Sequence, residues 1–344
     1  MSDGRTQTLP ATMRALELHA YDGEAGSLRL VEKPLPRPGR GEVLVRVAAA
    51  PVNPSDLMFL RGLYVKKKLP VVAGFEGSGE VVESGGGLLA NYLKGKRVAC
   101  AAPIEGDGTW AEYVLAGANF CVPLLKQTDT EGAASLIVNP FTAWALMDRA
   151  RRARAEAVIQ TAAASALGRM IVRLAARRNV PLVNIVRRQE QVELLQKEGA
   201  RYVLDSSTAD FDERLRELCK KLRVSVGFDA VAGELTGRLI GALSAGGRVI
   251  VYGALSLENC RIEPRSLIFE KKSVEGFWLS DWMRKQSLPG KIMTSRKVQR
   301  LLADELKTEI HERLPLEKAA EGLQHYANHM TGGKIIFVPN LKSS

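Results

Sequence analysis

The 344-residue sequence has little cysteine and no long apolar run. Its four cysteines, Cys100, Cys121, Cys219 and Cys260, stand too far apart for a CxxC pair or a disulfide framework, which predicts buried, reduced thiols. No stretch approaches the roughly 18 apolar residues that a membrane span needs. The first residues, MSDGRTQTLPATMR, have no apolar core. We therefore expect a cytoplasmic protein without a signal peptide and without a membrane partner.

Acidic residues are fewer than basic ones. There are 38 aspartates and glutamates against 49 lysines and arginines, which gives a net charge of +11. Basic clusters at 66–68, 149–154 and 220–223 would suit nucleic acid, but no aromatic-rich recognition module accompanies them. A positive field that attracts an anionic cofactor or substrate fits the charge equally well, and nucleic acid is the less favoured partner.

The first part of the chain, 13–122, alternates short β-type runs with Gly/Pro turns, which predicts a compact, largely antiparallel β domain. Pro34, Pro36 and Pro38 predict an extended connection between its first strands. The pattern changes near Asp129, where a helix is predicted over 130–149.

A regular alternation of buried strands and helices follows, which predicts a doubly wound parallel sheet. The strands are predicted at 157–161, 182–186, 202–204, 224–229 and 248–252, with helices at 166–178, 189–198, 212–222 and 234–243. A sixth strand is predicted at 273–277, helices at 295–305 and 316–328, and a last strand at 334–338 that returns to the first domain. We place the domains at 1–128, 129–268 and 269–344.

The first of these strands runs into TAAASALG at 161–168 and then into a helix. Dinucleotide-binding loops need small residues here, because the backbone approaches the pyrophosphate and the helix N-terminus faces it. Ala162, Ser165 and Gly168 hold the three small positions, although two of the usual glycines are absent. An Ala-rich helix start would explain the segment equally well by itself, and the strand, turn, helix and strand order favours the cofactor loop.

The end of the second strand indicates which dinucleotide is bound. NAD sites place an acidic residue about 20 residues beyond the loop, where this chain has Arg187 followed by Arg188. A guanidinium can bind a 2′-phosphate with two hydrogen bonds, whereas a carboxylate would repel it. We therefore expect NADPH, with Glu190 leaving NAD as an alternative.

These segments together resemble the zinc-independent medium-chain dehydrogenases/reductases, in particular quinone oxidoreductases and 2-enoyl thioester reductases. The resemblance covers 13–338 and rests on VNPSD at 52–56, RGLY at 61–64, GFEGSG at 74–79, GTWAEY at 108–113, NPFTAW at 139–144, the loop at 161–168, VR at 186–187 and GFW at 276–278. It implies an α/β protein with a GroES-like β-rich catalytic domain, a Rossmann domain and a homodimeric assembly.

The resemblance also implies the absence of zinc. Zinc alcohol dehydrogenases have a Cys within the segment aligned with VNPSD, and a His where this chain has Phe75, which cannot ligate a metal. His325 and His329 stand one helical turn apart, but without a third ligand we expect two exposed histidines in a helix's last turn.

The resemblance further suggests roles for individual residues. Tyr64 would donate a proton, with a structural loop tyrosine as the alternative, and Asn53 would contact the nicotinamide ribose or the substrate, with an Asn-Pro turn as the alternative. The residues assigned to the cofactor are Asn139, Thr142, Ala164, Ser165, Ala166, Leu167, Gly168, Arg187, Arg188, Tyr252, Gly253, Trp278 and Lys334. Of these, Asn139 and Thr142 could instead be helix caps, Trp278 a core residue and Lys334 a solvated strand-end lysine.

A metal-free enzyme suits a substrate that accepts hydride by its own electronics. An activated C=C bond does so, because charge spreads onto a carbonyl as an enolate, which leaves alignment, oxyanion stabilisation and a proton to the protein. We expect an NADPH-dependent reductase of 2-enoyl thioesters or enones. The alternatives are an NADPH:quinone oxidoreductase and, from another class, a cofactor-binding protein recruited to an RNA-binding or structural role.

Overall fold

The computed structural model describes residues 8–23 and 25–341, so residues 1–7, on which part of the expectation about a leader rests, lie outside it. The chain forms two compact units, Met1–Ile137 with Thr308–Ser344, and Val138–Lys307. The predicted boundaries after 128 and 268 are corrected to 137 and 307. Within the described residues no helix is long and apolar enough to cross a membrane.

The first unit, called the β-rich unit below, contains two sheets and short helices. Its strands are β1 (Thr12–Leu18), β2 (Leu28–Pro34), β3 (Glu42–Pro51), β4 (Val71–Val72), β5 (Glu76–Ser84), β6 (Arg97–Ala101), β7 (Tyr113–Gly117) and β8 (Cys121–Pro123), and its helices are α1 (Pro54–Leu60) and α2 (Leu88–Leu93). The small sheet has the order β2-β1-β4 and is antiparallel.

The second unit, called the Rossmann unit, contains a six-stranded parallel sheet. Its strands are β9 (Ala157–Gln160), β10 (Leu182–Val186), β11 (Tyr202–Asp205), β12 (Val224–Asp229), β13 (Arg248–Val251) and β14 (Ser273–Gly276). Its helices are α3 (Asn139–Arg152), α4 (Ala166–Arg177), α5 (Gln189–Lys197), α6 (Phe211–Leu222), α7 (Glu234–Ala242), α8 (Pro264–Ile268), α9 (Leu279–Arg284) and α10 (Leu288–Arg300). The strand order is β11-β10-β9-β12-β13-β14.

The last segment of the chain belongs to the β-rich unit. It consists of β15 (Ile310–Leu314), α11 (Ala319–Asn328) and β16 (Lys334–Phe337). Strand β16 pairs antiparallel with β3 and extends the larger sheet, whose order is β15-β16-β3-β5-β6-β8, with β7 also on β3. Phe337 thereby packs edge-on against Trp110, which is fully buried, at 5.0 Å between ring centroids.

The cause of the corrected boundary is the sixth parallel strand. β14 pairs with β13 in register, Val249 opposite Val274, so the chain beyond 268 is still within the Rossmann sheet. The segment that returns to the β-rich unit starts only at Thr308.

Several predicted elements differ from the structure. The helix predicted over 130–149 is a 3-10 turn at Gly132–Ser135 followed by α3, because Pro140 suits a first helical turn rather than a helix interior. The helix predicted at 295–305 starts at Leu288, where Ser287 caps it and Pro289 follows. Helices α1, α2, α8 and α9 and strand β15 were not predicted from the sequence. Three of the cysteines are buried as expected, but Cys260 is exposed.

Candidate functional site

The strand order of the Rossmann unit reverses between β9 and β12. In open parallel sheets, ligands bind outside the carboxyl ends of the strands at this reversal. Here the two strand ends are tied together, since the Thr161 hydroxyl donates to Asp229 Oδ1 (2.8 Å) and accepts from the Ala230 N–H (2.8 Å).

Asp229 is fully buried, and its carboxylate accepts hydrogen bonds from neighbouring residues of the Rossmann unit. Oδ1 also accepts from the Val231 N–H (2.9 Å), and Oδ2 accepts from the Thr236 hydroxyl (2.6 Å). A buried charge is tolerated when it is hydrogen-bonded in this way, so Asp229 fixes the loop after β12. Thr161 and Asp229 were not predicted as site residues, although a carboxylate at the end of an apolar strand is a usable signal.

The small-residue loop has the geometry of a phosphate site. The Ser165 side chain caps α4 by accepting from the Gly168 N–H (3.1 Å). A Cβ on Gly168 would lie 2.4 Å from the Ala163 carbonyl oxygen, so only glycine permits this approach of helix and loop. Ala162 has a φ of 49°, a left-handed conformation that favours glycine.

The other predicted loop residues surround this cap. Ala164 and Leu167 are buried, whereas Ser165 and Ala166 are partly exposed at the first turn of α4. The Gln160 side chain donates to the Gly168 carbonyl (3.0 Å) and to Asn184 Oδ1 (2.8 Å), which ties β9 and β10 to the helix start. The backbone N–H groups at the start of α4 are thus held by a rigid frame, as an anion site requires.

Arg187 and Arg188 follow β10 directly and are exposed. The Arg187 N–H donates to Gln191 Oε1 (3.2 Å), and Arg188 is the N-cap residue of α5. Among the described residues neither guanidinium forms an ion pair, so both remain available to a phosphate. Glu190, in the first turn of α5, is exposed as well.

Tyr252 and Gly253 follow β13. The Tyr252 N–H donates to the Asp229 carbonyl (2.8 Å), and a Cβ on Gly253 would lie 2.8 Å from the Ala230 carbonyl oxygen. The Tyr252 hydroxyl is buried without a hydrogen-bond partner among the described residues. A backbone cradle and an unpartnered hydroxyl at the carboxyl edge of the sheet fit a polar ligand such as a dinucleotide.

The remaining predicted cofactor residues of this unit are placed by α3 and α9. Asn139 is the first residue of α3 and Thr142 lies in its first turn, and both side chains are buried. The helix has Val138 as its N-cap and no side-chain cap, so Asn139 is not the capping residue that the alternative interpretation required. Trp278, 42% exposed, is the N-cap residue of α9.

The β-rich unit contains a second cluster, which we call the Asn53 network: Asn53, Asp56, Glu76, Tyr326 and Lys334. The Asn53 backbone N–H donates to Asp56 Oδ2 (2.7 Å), at the N-terminus of α1. Asn53 is the N-cap residue of α1, and its side-chain Nδ2 donates to Glu76 Oε1 (3.0 Å). Asp56 Oδ1 accepts from the Phe75 N–H (3.1 Å). The network therefore joins α1 to the start of β5.

Lys334 supplies the cation of this network. Its side chain is buried, and Nζ donates to the Val52 carbonyl (2.7 Å), Asn53 Oδ1 (2.5 Å) and the Tyr326 hydroxyl (3.2 Å). The ammonium is therefore occupied inside the protein, which differs from the phosphate contact and from the solvated strand end that the sequence suggested. Asn53 has no exposed surface, and its amide oxygen and one amide hydrogen are both used by neighbours.

Burial shifts two of these groups toward their neutral forms. It raises the pKa of Asp56 to about 7, against the lowering effect of the Asn53 N–H and of Lys334. It lowers the pKa of Lys334 to about 8, against the raising effect of Glu76 and Asp56. Burial therefore favours the neutral forms of Asp56 and Lys334, and the charges around each group oppose that shift.

Tyr64 lies at the accessible side of the same region. Tyr64 is 43% exposed as a residue, and its ring packs against Phe75 at 5.3 Å between centroids. Phe75 also packs edge-on against the buried Phe59 (5.3 Å). The phenol is therefore carried by an aromatic cluster that is anchored next to Glu76, while the ring itself remains accessible.

The histidines of the last segment lie together. The His311 and His325 rings stack at 5.1 Å, and the His325 and His329 rings at 4.6 Å. Sequence spacing had suggested only the pair on α11. Within the described part of the chain no group of three or more His, Cys, Asp or Glu residues is arranged to hold a metal ion.

Two family models match the chain. The alcohol dehydrogenase GroES-like domain matches residues 39–126, and the zinc-binding dehydrogenase domain matches residues 166–292. The curated relatives include mitochondrial enoyl-[acyl-carrier-protein] reductases from Bos taurus (30% identity, 81% of this chain, 75% of the relative) and Caenorhabditis elegans (33% identity, 74% of each chain).

Solved structures agree with this assignment. A putative NADPH:quinone reductase from Mesorhizobium loti superposes with a TM-score of 0.90 at 35% identity, covering 97% of this chain and all of that one. A mycobacterial protein complexed with NADPH superposes with a TM-score of 0.83 at 26% identity, covering 95% of this chain and all of that one.

A Rossmann sheet combined with a GroES-like unit defines an oxidoreductase of the alcohol dehydrogenase type, and the predicted fold class is confirmed. The chain belongs to the medium-chain dehydrogenase/reductase family. The expectations of a zinc-free enzyme and of a cytoplasmic location stay predictions; the relatives compared above are mitochondrial by name.

Proposed function

We propose that this chain is an NADPH-dependent reductase that adds hydride to the activated C=C bond of a 2-enoyl thioester or enone. The observation that carries the proposal is Tyr64, an accessible phenol held by Phe75 beside the buried Asn53 network. Reduction of an enoyl group creates an enolate that must take up a proton at carbon, and a positioned phenol supplies it. The enoyl-[acyl-carrier-protein] reductases among the relatives support this substrate class.

The cofactor assignment rests on the edge of the Rossmann sheet. Arg187 and Arg188 offer two exposed guanidinium groups where an NAD site would have a carboxylate. The α4 N-terminus with Ser165 and Gly168 would bind the pyrophosphate. Asn139, Thr142, Tyr252, Gly253 and Trp278 would border the nicotinamide end. NADPH bound there supplies the hydride.

The residues of the β-rich unit divide the remaining tasks. Tyr64 donates its hydroxyl proton to the carbon next to the thioester carbonyl and recovers a proton from water. The Asn53 network holds α1 and the start of β5 in one arrangement, and these elements lie close to Tyr64 in the chain. Direct contact of Asn53 with the nicotinamide ribose or with the substrate stays a prediction; in the structure its amide is buried.

Quinone reduction is the second candidate, and the 35% identity with a putative NADPH:quinone reductase supports it. A reduced quinone is an oxygen acid that exchanges protons with water directly. It therefore needs no proton donor from the protein. The two activities thus differ in how strongly they depend on Tyr64.

The deciding experiment measures NADPH oxidation with crotonyl thioester and with benzoquinone. We expect turnover of the thioester, and quinone turnover without thioester turnover would establish the second candidate instead. Tyr64→Phe retains the ring that packs on Phe75, and it should lower kcat for the thioester by roughly 10²-fold or more, the usual scale for a positioned acid. Benzoquinone turnover should fall less.

Tyr92→Phe is the matched control, because Tyr92 is a 58% exposed tyrosine of the same unit. It should leave both activities unchanged. Full thioester activity in Tyr64→Phe would show that Tyr64 is a structural loop residue.

We further propose that the chain forms a homodimer through β14. This strand ends the order of the Rossmann sheet, and Ile268 (66% exposed) and Phe269 (74% exposed) precede it closely. An open strand edge beside exposed apolar side chains favours pairing with the same edge of a second copy. Light scattering should give a dimer mass, and Phe269→Asp should shift it toward the monomer; a monomeric wild-type protein would end this proposal.

A further inference from the structure

Helix α10 has an exposed face that the proposed chemistry does not use. Ser287 caps the helix by accepting from the Gly290 N–H (3.3 Å), and buried Val298 and Gln299 anchor its C-terminal part. The opposite end exposes Leu288 and, one turn later, Ile292 and Met293. A regular, anchored helix therefore presents side chains to solvent in a fixed arrangement.

The exposed side chains of the first half are apolar. Leu288 is 63% exposed, Ile292 47% and Met293 56%. Single exposed apolar residues are ordinary, but three neighbouring ones on one helix face form a patch of the kind that marks an interaction site. They line one open groove together with Arg296, Lys297 and Arg300. We call these six residues the α10 face.

The charge of this segment is of one sign. Residues 284–300 contain six lysines and arginines and no aspartate or glutamate. Arg284 and Lys285 pair with Asp281 at 2.8 and 2.7 Å, which neutralises part of that charge. In the described structure Arg296, Lys297 and Arg300 form no ion pair. Their positive charge is therefore not neutralised by an ion pair within the described residues.

Helix α6 shows that basic residues on other parts of the surface are accompanied by acidic ones. Its exposed Arg216, Lys220 and Lys221 share the helix with Asp212, Glu213 and Glu217. Interspersed charges of both signs are typical of a solvated face. The α10 face differs because its cations adjoin apolar side chains and no acid.

We propose that the α10 face docks an acidic acyl carrier protein, which presents the enoyl thioester to the reductase. The three cations complement the carboxylates of such a partner, and Leu288, Ile292 and Met293 bury apolar surface at the centre of the contact. Nucleic acid would use the cations but leave the apolar patch uncovered. This inference rests on the proposed enoyl reductase function.

The test compares one enoyl group on two carriers. Crotonyl-acyl carrier protein and crotonyl-N-acetylcysteamine are reduced by the wild-type protein and by the triple variant Arg296→Glu, Lys297→Glu, Arg300→Glu. We expect kcat/KM for the carrier-protein substrate to fall at least 10-fold, mostly through KM, while kcat/KM for the small thioester is unchanged. The wild-type preference should weaken with added salt, because charges at the rim of an interface steer association.

The matched control carries the same change in net charge on α6, as Arg216→Glu, Lys220→Glu, Lys221→Glu. It should leave the carrier-protein kinetics at the wild-type level. An equal loss in both triple variants would overturn the proposal, because it would show an effect of net charge alone.

A binding measurement separates this proposal from the reductase function. Carrier protein without an acyl group is titrated against wild-type protein and against Ile292→Ser, Met293→Ser, which keeps the cations. We expect the double variant to bind at least several-fold more weakly. If wild-type protein reduces no enoyl thioester, the proposed function fails, and binding alone then judges the docking face. The docking proposal would be overturned if the wild-type protein does not bind the carrier protein, or if it binds anionic vesicles instead. It would also be overturned if the double variant loses self-association.

Discussion

The Asn53 network and the arginine edge at Arg187 use polar side chains in opposite ways. In the network, Lys334, Asn53 and Asp56 are buried, and each bonds to neighbours inside the protein. At the edge, Arg187 and Arg188 are exposed and form no ion pair within the described chain. In this protein, polar groups that are satisfied internally position a site, whereas those without an ion pair at a strand end are available to a ligand.

This contrast predicts separate consequences for stability and for binding. Removing a buried charged partner leaves other buried groups unsatisfied, which costs folding free energy. Removing an exposed guanidinium costs little stability but removes a contact with the cofactor. Four changes test the contrast, from the largest expected effect to the smallest.

Lys334→Met should have the largest effect. It leaves Asp56 and Glu76 without their buried cation, and Val52 O and Asn53 Oδ1 without a donor. We expect the free energy of unfolding, measured with urea, to fall by roughly 3–5 kcal/mol. Adding Glu76→Gln should restore part of the loss, because it removes one of the unpaired charges.

Lys272→Met is the control for this change. Lys272 is also buried, but its carboxylate partner Glu270 is half exposed, and water can solvate that carboxylate when the lysine is gone. We expect a clearly smaller loss of stability. A Lys334→Met protein as stable as wild type would show that the network does not hold the β-rich unit together.

Arg187→Ala should act on the cofactor and not on the fold. One charge-assisted hydrogen bond is worth roughly 1.5–3 kcal/mol, which corresponds to about a 10- to 150-fold rise in the KM for NADPH. The KM for NADH should change much less, and the melting temperature should stay within the experimental error.

Arg216→Ala, at an exposed arginine of α6, is the control for general surface charge. It should change neither KM. Equal effects of Arg187→Ala on the two cofactors would contradict a contact with the 2′-phosphate.

The pH dependence of stability provides the third test. Burial raises the pKa of Asp56 to about 7, from 3.8, so the stability it contributes is complete below about pH 4 and is lost as the pH rises to about 7. Burial lowers the pKa of Lys334 to about 8, from 10.5, so its contribution is present above about pH 10.5 and is lost as the pH falls through about 8.

Both shifts place the minimum of this contribution between about pH 7 and pH 8. Urea unfolding at about pH 5, 7.5 and 9.5 gives the free energy of unfolding of the wild type and of Asp56→Asn. The difference between the two measures the contribution of Asp56. We expect the variant to lose the decline between about pH 5 and pH 7. A variant with the same decline would assign it to other carboxyl groups.

Ala162→Gly should have the smallest effect and the opposite sign. The left-handed conformation of Ala162 costs an alanine about 1–2 kcal/mol, and glycine would remove this cost. Glycine also has more conformational freedom in the unfolded state, which offsets about 0.5–1 kcal/mol of that stabilisation. We expect a net stabilisation of roughly 0.5–1 kcal/mol. Ala163 is buried and does not have a positive φ, so Ala163→Gly should destabilise the protein instead.

Local patterns predicted the Rossmann unit well. The strands and helices between 157 and 252 lie close to their predicted bounds, because buried strands and amphipathic helices have regular periods that a sequence shows directly. The short helices α1 and α2 and the strand β15 were not predicted, since their formation depends on packing within the β-rich unit rather than on periodicity.

The candidate site divides in the same way. Ser165, Gly168 and Arg187 could be identified from their places in a strand, loop and helix succession. The partnership of Asn53 with Glu76 and Lys334 could not, because residues 53 and 334 are far apart in the chain and come together through the pairing of β16 with β3. A lysine at a predicted strand end is expected to be solvated, and only the surrounding sheet shows that Lys334 is buried.

The sequence by itself determined the alternation of strands and helices, the small-residue loop, the basic residues after β10 and the family resemblance, since each depends on residues close together in the chain. Tertiary structure decided which polar groups are buried and what they bond to. It placed Asp229 against Thr161, Lys334 against Asn53 and Tyr64 against Phe75. Burial and long-range hydrogen bonds depend on how distant segments pack, and no local pattern contains that information.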